Sequence, residues 1–155
     1  MPRSRPLTPP NRLIRALYAL GLGVLVGRLV LLLMTTGRKT GLRRVTPLQY
    51  EEINEAIYVA SARGTKSDWF RNIQANPRVK VRMKSQRFEG IAEPVTDPAR
   101  IADFIELRLR RHPKMMGTIL QADGMSSAPN RAELEEYAAK LAIAIIRPAP
   151  GQPTG

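Results

Sequence analysis

Residues 31–69 read LLLMTTGRKTGLRRVTPLQYEEINEAIYVASARGTKSDW, and this stretch decides the fold. Leu29 to Thr36 is an apolar, β-rich run that stops at Gly37, and Arg43 to Tyr50 is a second run in which Val45 and Pro47 alternate with polar neighbours. Two strands with a short link between them predict a hairpin. The link, Gly37-Arg38-Lys39-Thr40-Gly41, sets two cations and a hydroxyl between two glycines that permit positive φ. Backbone amides and basic side chains converging on one point suit an anion, a phosphate above all. Ala56 to Ser61 reads as a third, buried strand after a polar turn at Glu51 to Asn54. A second glycine-bearing basic loop, Ala62 to Lys66, follows it. Ser67 or Asp68 can cap a short helix from Trp69 to Ala75, so this second loop stands at a helix N-terminus, where the dipole favours an anion.

On the far side of that helix, Val79 to Lys84 alternates strictly, with Lys80, Arg82 and Lys84 outward as a solvated face. Arg87 to Val95 continues as a strand. Asp97-Pro98 opens an amphipathic helix that ends before Pro113, and Lys114 to Asn130 reads as an apolar lid or wall over the substrate carrying Met115, Met116, Ile119 and Leu120, with packing into the core as the equal alternative for the methionines. Arg131 to Lys140 is helical and Ala142 to Arg147 is a last β-branched strand. Upstream, Asn11 to Gly27 has helical apolar spacing; its glycines and Arg28 argue against a membrane span, while Arg12 and Arg15 would let it rest on a membrane surface. The order predicts an α+β fold: a small antiparallel barrel of about six strands with an N-terminal helix and flanking helices. Residues 11–148 form one domain between a tail at 1–10 and another at 149–155.

The chain has 155 residues, no cysteine and one histidine, which excludes a disulfide framework and a thiolate or His-rich metal centre and argues against a Ser-His-Asp triad. A net charge of +12 calls for an acidic partner: nucleic acid, an anionic membrane surface or a small polyanion. Aromatic residues make up 5%, too few to interleave a base-stacking platform with the basic residues, so no nucleic acid is expected.

The stretches TTGRKTG (Thr35 to Gly41) and, about thirty residues on, WFRNIQANP (Trp69 to Pro77) together resemble the deazaflavin-dependent nitroreductase family, a branch of the split β-barrel flavoenzymes. The resemblance covers residues 11–148 and is densest between Leu31 and Val81. It implies an FMN-binding split barrel-like fold and a coenzyme F-420-dependent oxidoreductase of quinone/nitro reductase type. Hydride would pass from the reduced deazaflavin to a quinone, nitroaromatic or activated alkene. It further implies that Arg38, Lys39 and Thr40 hold the coenzyme's phosphate, that Arg44 is the family's further cation on the second strand, that Thr46, Pro47, Ser61 and Gly64 line the ring, and that Trp69 and Asn72 brace the pocket. Ala62 stands where the family often has lysine, with Arg63 and Lys66 as replacements. No dedicated nucleophile or metal is expected; a proton would come from solvent or from a hydroxyl near Ser61 or Tyr50. HPKMMGTILQADG (His112 to Gly124) replaces the tyrosine-rich segment of the nitro-drug-activating members, which weakens any expectation of nitroimidazole reduction. The alternatives are an FMN-dependent enzyme of the same barrel type and a non-catalytic cofactor- or anion-binding protein. A cytoplasmic monomer or homodimer, at most resting on the inner membrane face, is expected.

Overall fold

The computed structural model describes residues 30–151, so the helix expected over Asn11 to Gly27, its membrane contact and most of both tails lie outside the described residues. Seven strands and four α-helices follow in the order β1 (Leu31–Thr36), β2 (Arg43–Leu48), β3 (Tyr50–Ile53), β4 (Ala56–Ser61), α1 (Asp68–Ala75), β5 (Arg78–Met83), β6 (Gln86–Val95), α2 (Pro98–Arg111), α3 (Pro113–Ala122), α4 (Arg131–Ala138) and β7 (Ala142–Pro148). A 3₁₀ turn at Gly64–Lys66 leads into α1. Among the described residues no helix is long and apolar enough to cross a membrane.

The strands form one antiparallel sheet in the order β2-β1-β5-β6-β7-β4-β3. Its two edge strands are joined through Gln49 alone, so β2 and β3 are one bent strand that pairs with β1 at one end and with β4 at the other. That bend closes the sheet into a six-stranded barrel. The polar turn expected at Glu51 to Asn54 is corrected here: Tyr50–Ile53 is strand, and the reversal is confined to Asn54 and Glu55, both at positive φ. Charge concealed the strand. Glu51 and Glu52 read as solvent-facing, yet Glu51 is buried against cations from α2.

Alternation fills the barrel. Leu31 and Leu33 of β1, Val59 of β4, Val79, Val81 and Met83 of β5 and Ile146 of β7 point inward, and Trp69, Phe70 and Ile73 of α1 plug one end. The outer face of β4, β6 and β7 carries a second core with α2, α3 and α4, built on Val95, Ile143, Ile145, Ile101, Phe104, Ile105 and Leu134. Strand β7 therefore serves both cores, with Ala144 and Ile146 inward and Ile143 and Ile145 outward, which is why Ala142 to Ile146 is an unbroken apolar run.

Of the stretch read as lid or core wall, Lys114 to Asn130, the first part is helix α3. Met116 and Leu120, four residues apart on one helical face, are buried, Ile119 packs against the outer core, and Met115 is exposed. Helical spacing turns Met116 and Leu120 inward and leaves Met115 outside.

Candidate functional site

At the barrel end plugged by α1, a cleft of about 640 Å³ opens between the β1–β2 hairpin and the start of α1. Gly37 shapes the hairpin: its N–H donates to the Leu42 carbonyl at 2.7 Å and its carbonyl accepts from Gly41 N–H at 2.8 Å. A Cβ on Gly37 would stand 2.9 Å from Thr40 Oγ1 and 3.1 Å from the Leu42 oxygen. A side chain here would have to displace the Thr40 hydroxyl and press on the Leu42 carbonyl. Thr40 Oγ1 accepts from Leu42 N–H at 3.2 Å and keeps its own proton to donate.

Cations dominate the walls. Arg38, Lys39, Arg43 and Arg44 line the cleft with Thr40 and Thr46, and Asp68, Trp69 and Asn72 close it from α1. Strand alternation would place Arg43 and Arg44 on opposite faces, but both stand at the exposed start of β2 and reach the cleft.

Asn72 joins hairpin to helix. Its buried Oδ1 accepts from the Arg38 backbone N–H at 3.2 Å and from Arg38 Nη1 at 3.0 Å, while its Nδ2 donates to Thr35 Oγ1 at 3.1 Å. Arg38 is drawn further onto the helix by Asp68, whose carboxylate Oδ1 accepts from Nη2 at 3.2 Å. These bonds set where Arg38 stands against α1.

The expected ligands divide into two groups. Arg38, Lys39, Thr40, Arg44, Thr46, Trp69 and Asn72 come together around the cleft, whereas Pro47, Ser61, Arg63, Gly64 and Lys66 are not among its lining residues, nor are Tyr50, Met115, Met116, Ile119 and Leu120. Pro47 pairs in register with Leu32, on the outer side of β1. Ser61 is corrected as a hydroxyl contact: it is buried, donates to the Gly64 carbonyl at 2.8 Å and lies 2.5 Å from Ser67 Oγ. Its work is to fasten the second basic turn, which delivers α1 to the cleft. Tyr50 packs against the barrel core, and burial followed by the nearby Glu52 pushes its hydroxyl above the ordinary value, which makes it a poor proton donor. Thr35, Arg43 and Asp68 were not anticipated as parts of the site. The alternation of β1 could have revealed Thr35, which follows Leu31 and Leu33 on the inward face.

Gly64 has its own constraint. Its φ of +59° favours glycine, and an added Cβ would stand 2.7 Å from the Lys140 carbonyl oxygen. Gly64→Ala is expected to cost about 2–3 kcal/mol, from left-handed strain and the clash with rigid backbone. Thermal unfolding would register this as a fall of roughly 5–10 °C; an unchanged midpoint would show that the turn can move aside.

A family model for the F420H(2)-dependent quinone reductase family matches residues 14–118. An F420H(2)-dependent quinone reductase of Mycobacterium tuberculosis is 37% identical over 68 residues, which cover 42% of this chain and 46% of that protein. The chain thus spans about half the length of the curated relatives it matches. A solved F420-H2 dependent reductase (FDR-A) shares the fold, with a TM-score of 0.52 at 22% identity over 77% of this chain and 95% of that one. A solved F420 reductase gives 0.50 at 25% identity over 81% and 90%. The matched segment runs through the hairpin, the bent strand, α1 and every residue that lines the cleft, and the chain belongs to the F420H(2)-dependent quinone reductase family.

Proposed function

We propose that the chain is an oxidoreductase that binds reduced coenzyme F-420 in this cleft and passes a hydride to an electron-poor acceptor of quinone type. The observation that carries the reading is the donor set: four cations, two threonine hydroxyls and a tryptophan around a single cleft, within the segment matched by the family model. A coenzyme with a phosphodiester and a polyglutamate tail is a polyanion, and that chemistry fits these residues.

When bound, the reduced deazaflavin supplies the hydride, and solvent supplies the proton that completes the reduced acceptor. The protein's part is binding and orientation. Lys39, Arg43 and Arg44 are exposed cations that take the anionic portion, Arg38 is held against α1 to meet it, and Thr40 donates its hydroxyl proton. Trp69, buried at the helix start, forms an apolar wall against which a flat ring can lie.

Trp69 is also the chain's single tryptophan, so its fluorescence reports on this cleft alone. Coenzyme F-420 is expected to quench it, and the reduced coenzyme is expected to be oxidised when menadione is supplied. Protein that shows neither response would sink the proposal. Lys39→Ala and Arg44→Ala should each weaken the coenzyme by roughly 10-fold, since a charge-assisted contact contributes about 1.5–3 kcal/mol, discounted here for exposure. Affinity that falls steeply with salt in the wild type should fall less steeply in both variants.

A further inference from the structure

Asp68 is the one acidic residue among the described residues that line the cleft, and it stands in direct contact with a cation assigned to the ligand. Its carboxylate Oδ1 accepts from Arg38 Nη2 at 3.2 Å and its backbone carbonyl from Nη1 at 3.5 Å, while Asn72 takes a second Nη1 hydrogen at 3.0 Å. Three of the five guanidinium N–H groups are thereby used. The Nε–H and one Nη2 hydrogen remain, and together they form one edge of the fork, the arrangement that grips two oxygens of a phosphate.

An anion on that edge would stand one guanidinium's width from the Asp68 carboxylate. The carboxylate is 85% exposed and Arg38 21% exposed, so the acid lies at the cleft's rim with the cation beneath it. Asp68 therefore has two effects of opposite sign: it fixes Arg38 for binding, and its charge repels whatever Arg38 binds.

We infer that Asp68 is a charge-selectivity residue, which makes this cleft favour a singly charged phosphodiester over a doubly charged phosphomonoester at the Arg38 position. The inference rests on the coenzyme reading above and specifies why a terminal phosphate, as in FMN, is disfavoured there. A phosphodiester carries one negative charge and a monoester about 1.5 to 2 at neutral pH. Repulsion from a fixed charge scales with the ligand's charge, so the monoester pays about twice as much on a logarithmic scale.

Asp68→Asn separates the two effects, because the asparagine Oδ1 still accepts from Arg38 Nη2 while the charge is gone. The wild type and this variant are titrated with coenzyme F-420 and with FMN, following Trp69 fluorescence. Coenzyme affinity is expected to rise about 3-fold and FMN affinity about 10-fold, the square of the first factor. Equal factors for the two ligands, or no tightening of FMN, would overturn the inference. Wild-type protein that binds FMN but ignores coenzyme F-420 would overturn the proposed function, and the FMN comparison between the two proteins would still decide the role of Asp68. If only Asp68→Asn binds FMN, the inference stands; if neither protein binds either ligand, both fail.

Discussion

Replacing Asn72 with alanine is expected to lower coenzyme affinity by about 100-fold and stability by about 2–3 kcal/mol. The two losses have one origin. Asn72 is buried, and its amide satisfies the Arg38 backbone N–H, the Arg38 guanidinium and the Thr35 hydroxyl together. Without it the hairpin is tied to α1 only through the exposed Arg38–Asp68 contact, two donors and one acceptor lose the asparagine as partner, and Arg38 loses its buried anchor. Asn72→Asp distinguishes framing from folding. A carboxylate can still accept from both Arg38 donors, and the Thr35 hydroxyl can turn to donate to it, so stability should fall by about 1 kcal/mol or less. Coenzyme affinity should nevertheless drop at least 10-fold, because a second negative charge, this one buried, would face the ligand beside Arg38. Chemical denaturation and Trp69 quenching measure the two quantities independently. Equal losses of stability in both variants, with affinity untouched in either, would remove Asn72 from the site.

The chain discloses its barrel readily and its site only in part. Strands β1, β4 and β5 follow from alternation and β-branched content, and the hairpin glycines mark the turn at the cleft. Two features depend on partners distant in the chain. Glu51 looks like a loop residue until Arg108 and Arg111, nearly sixty positions later, are folded onto it. Met115 and Met116 look like a lid because nothing local shows that α3 packs behind the sheet, on the side away from the barrel interior. The second basic turn teaches the same lesson for function. Arg63, Gly64 and Lys66 have the composition of an anion loop, yet the close approach of Gly64 to the Lys140 backbone and the bonding of Ser61 to Ser67 give that turn a scaffolding task. Local sequence reports conformational preference well; which face of a turn meets a cleft is decided by the whole chain.

Glu51→Ala is expected to cost about 3 kcal/mol, the largest loss foreseen for any single side chain outside the cleft. Its carboxylate lies 2.8 Å from His112 Nε2, 3.3 Å from Arg111 Nη1 and 3.4 Å from Arg108 Nε, with only 8% of the side chain exposed. Arg108, itself 12% exposed, also donates to Gln49 Oε1 at 3.4 Å, at the residue where β2 bends into β3. One carboxylate therefore ties the C-terminal turn of α2 to the seam that closes the barrel. Truncation leaves Arg108 buried without its anion, and the full cost of a buried pair is reduced because Arg111 and His112 are about two-fifths exposed and can turn to water. Glu51→Gln keeps two acceptor lone pairs in place and should cost roughly half as much. Native-state hydrogen exchange would locate the damage: in Glu51→Ala the amides of β3 should exchange faster than those of β1 and β5, which are held on both sides within the sheet. Uniform acceleration across all strands would mean instead that Glu51 supports the domain as a whole and that the seam has no separate stability.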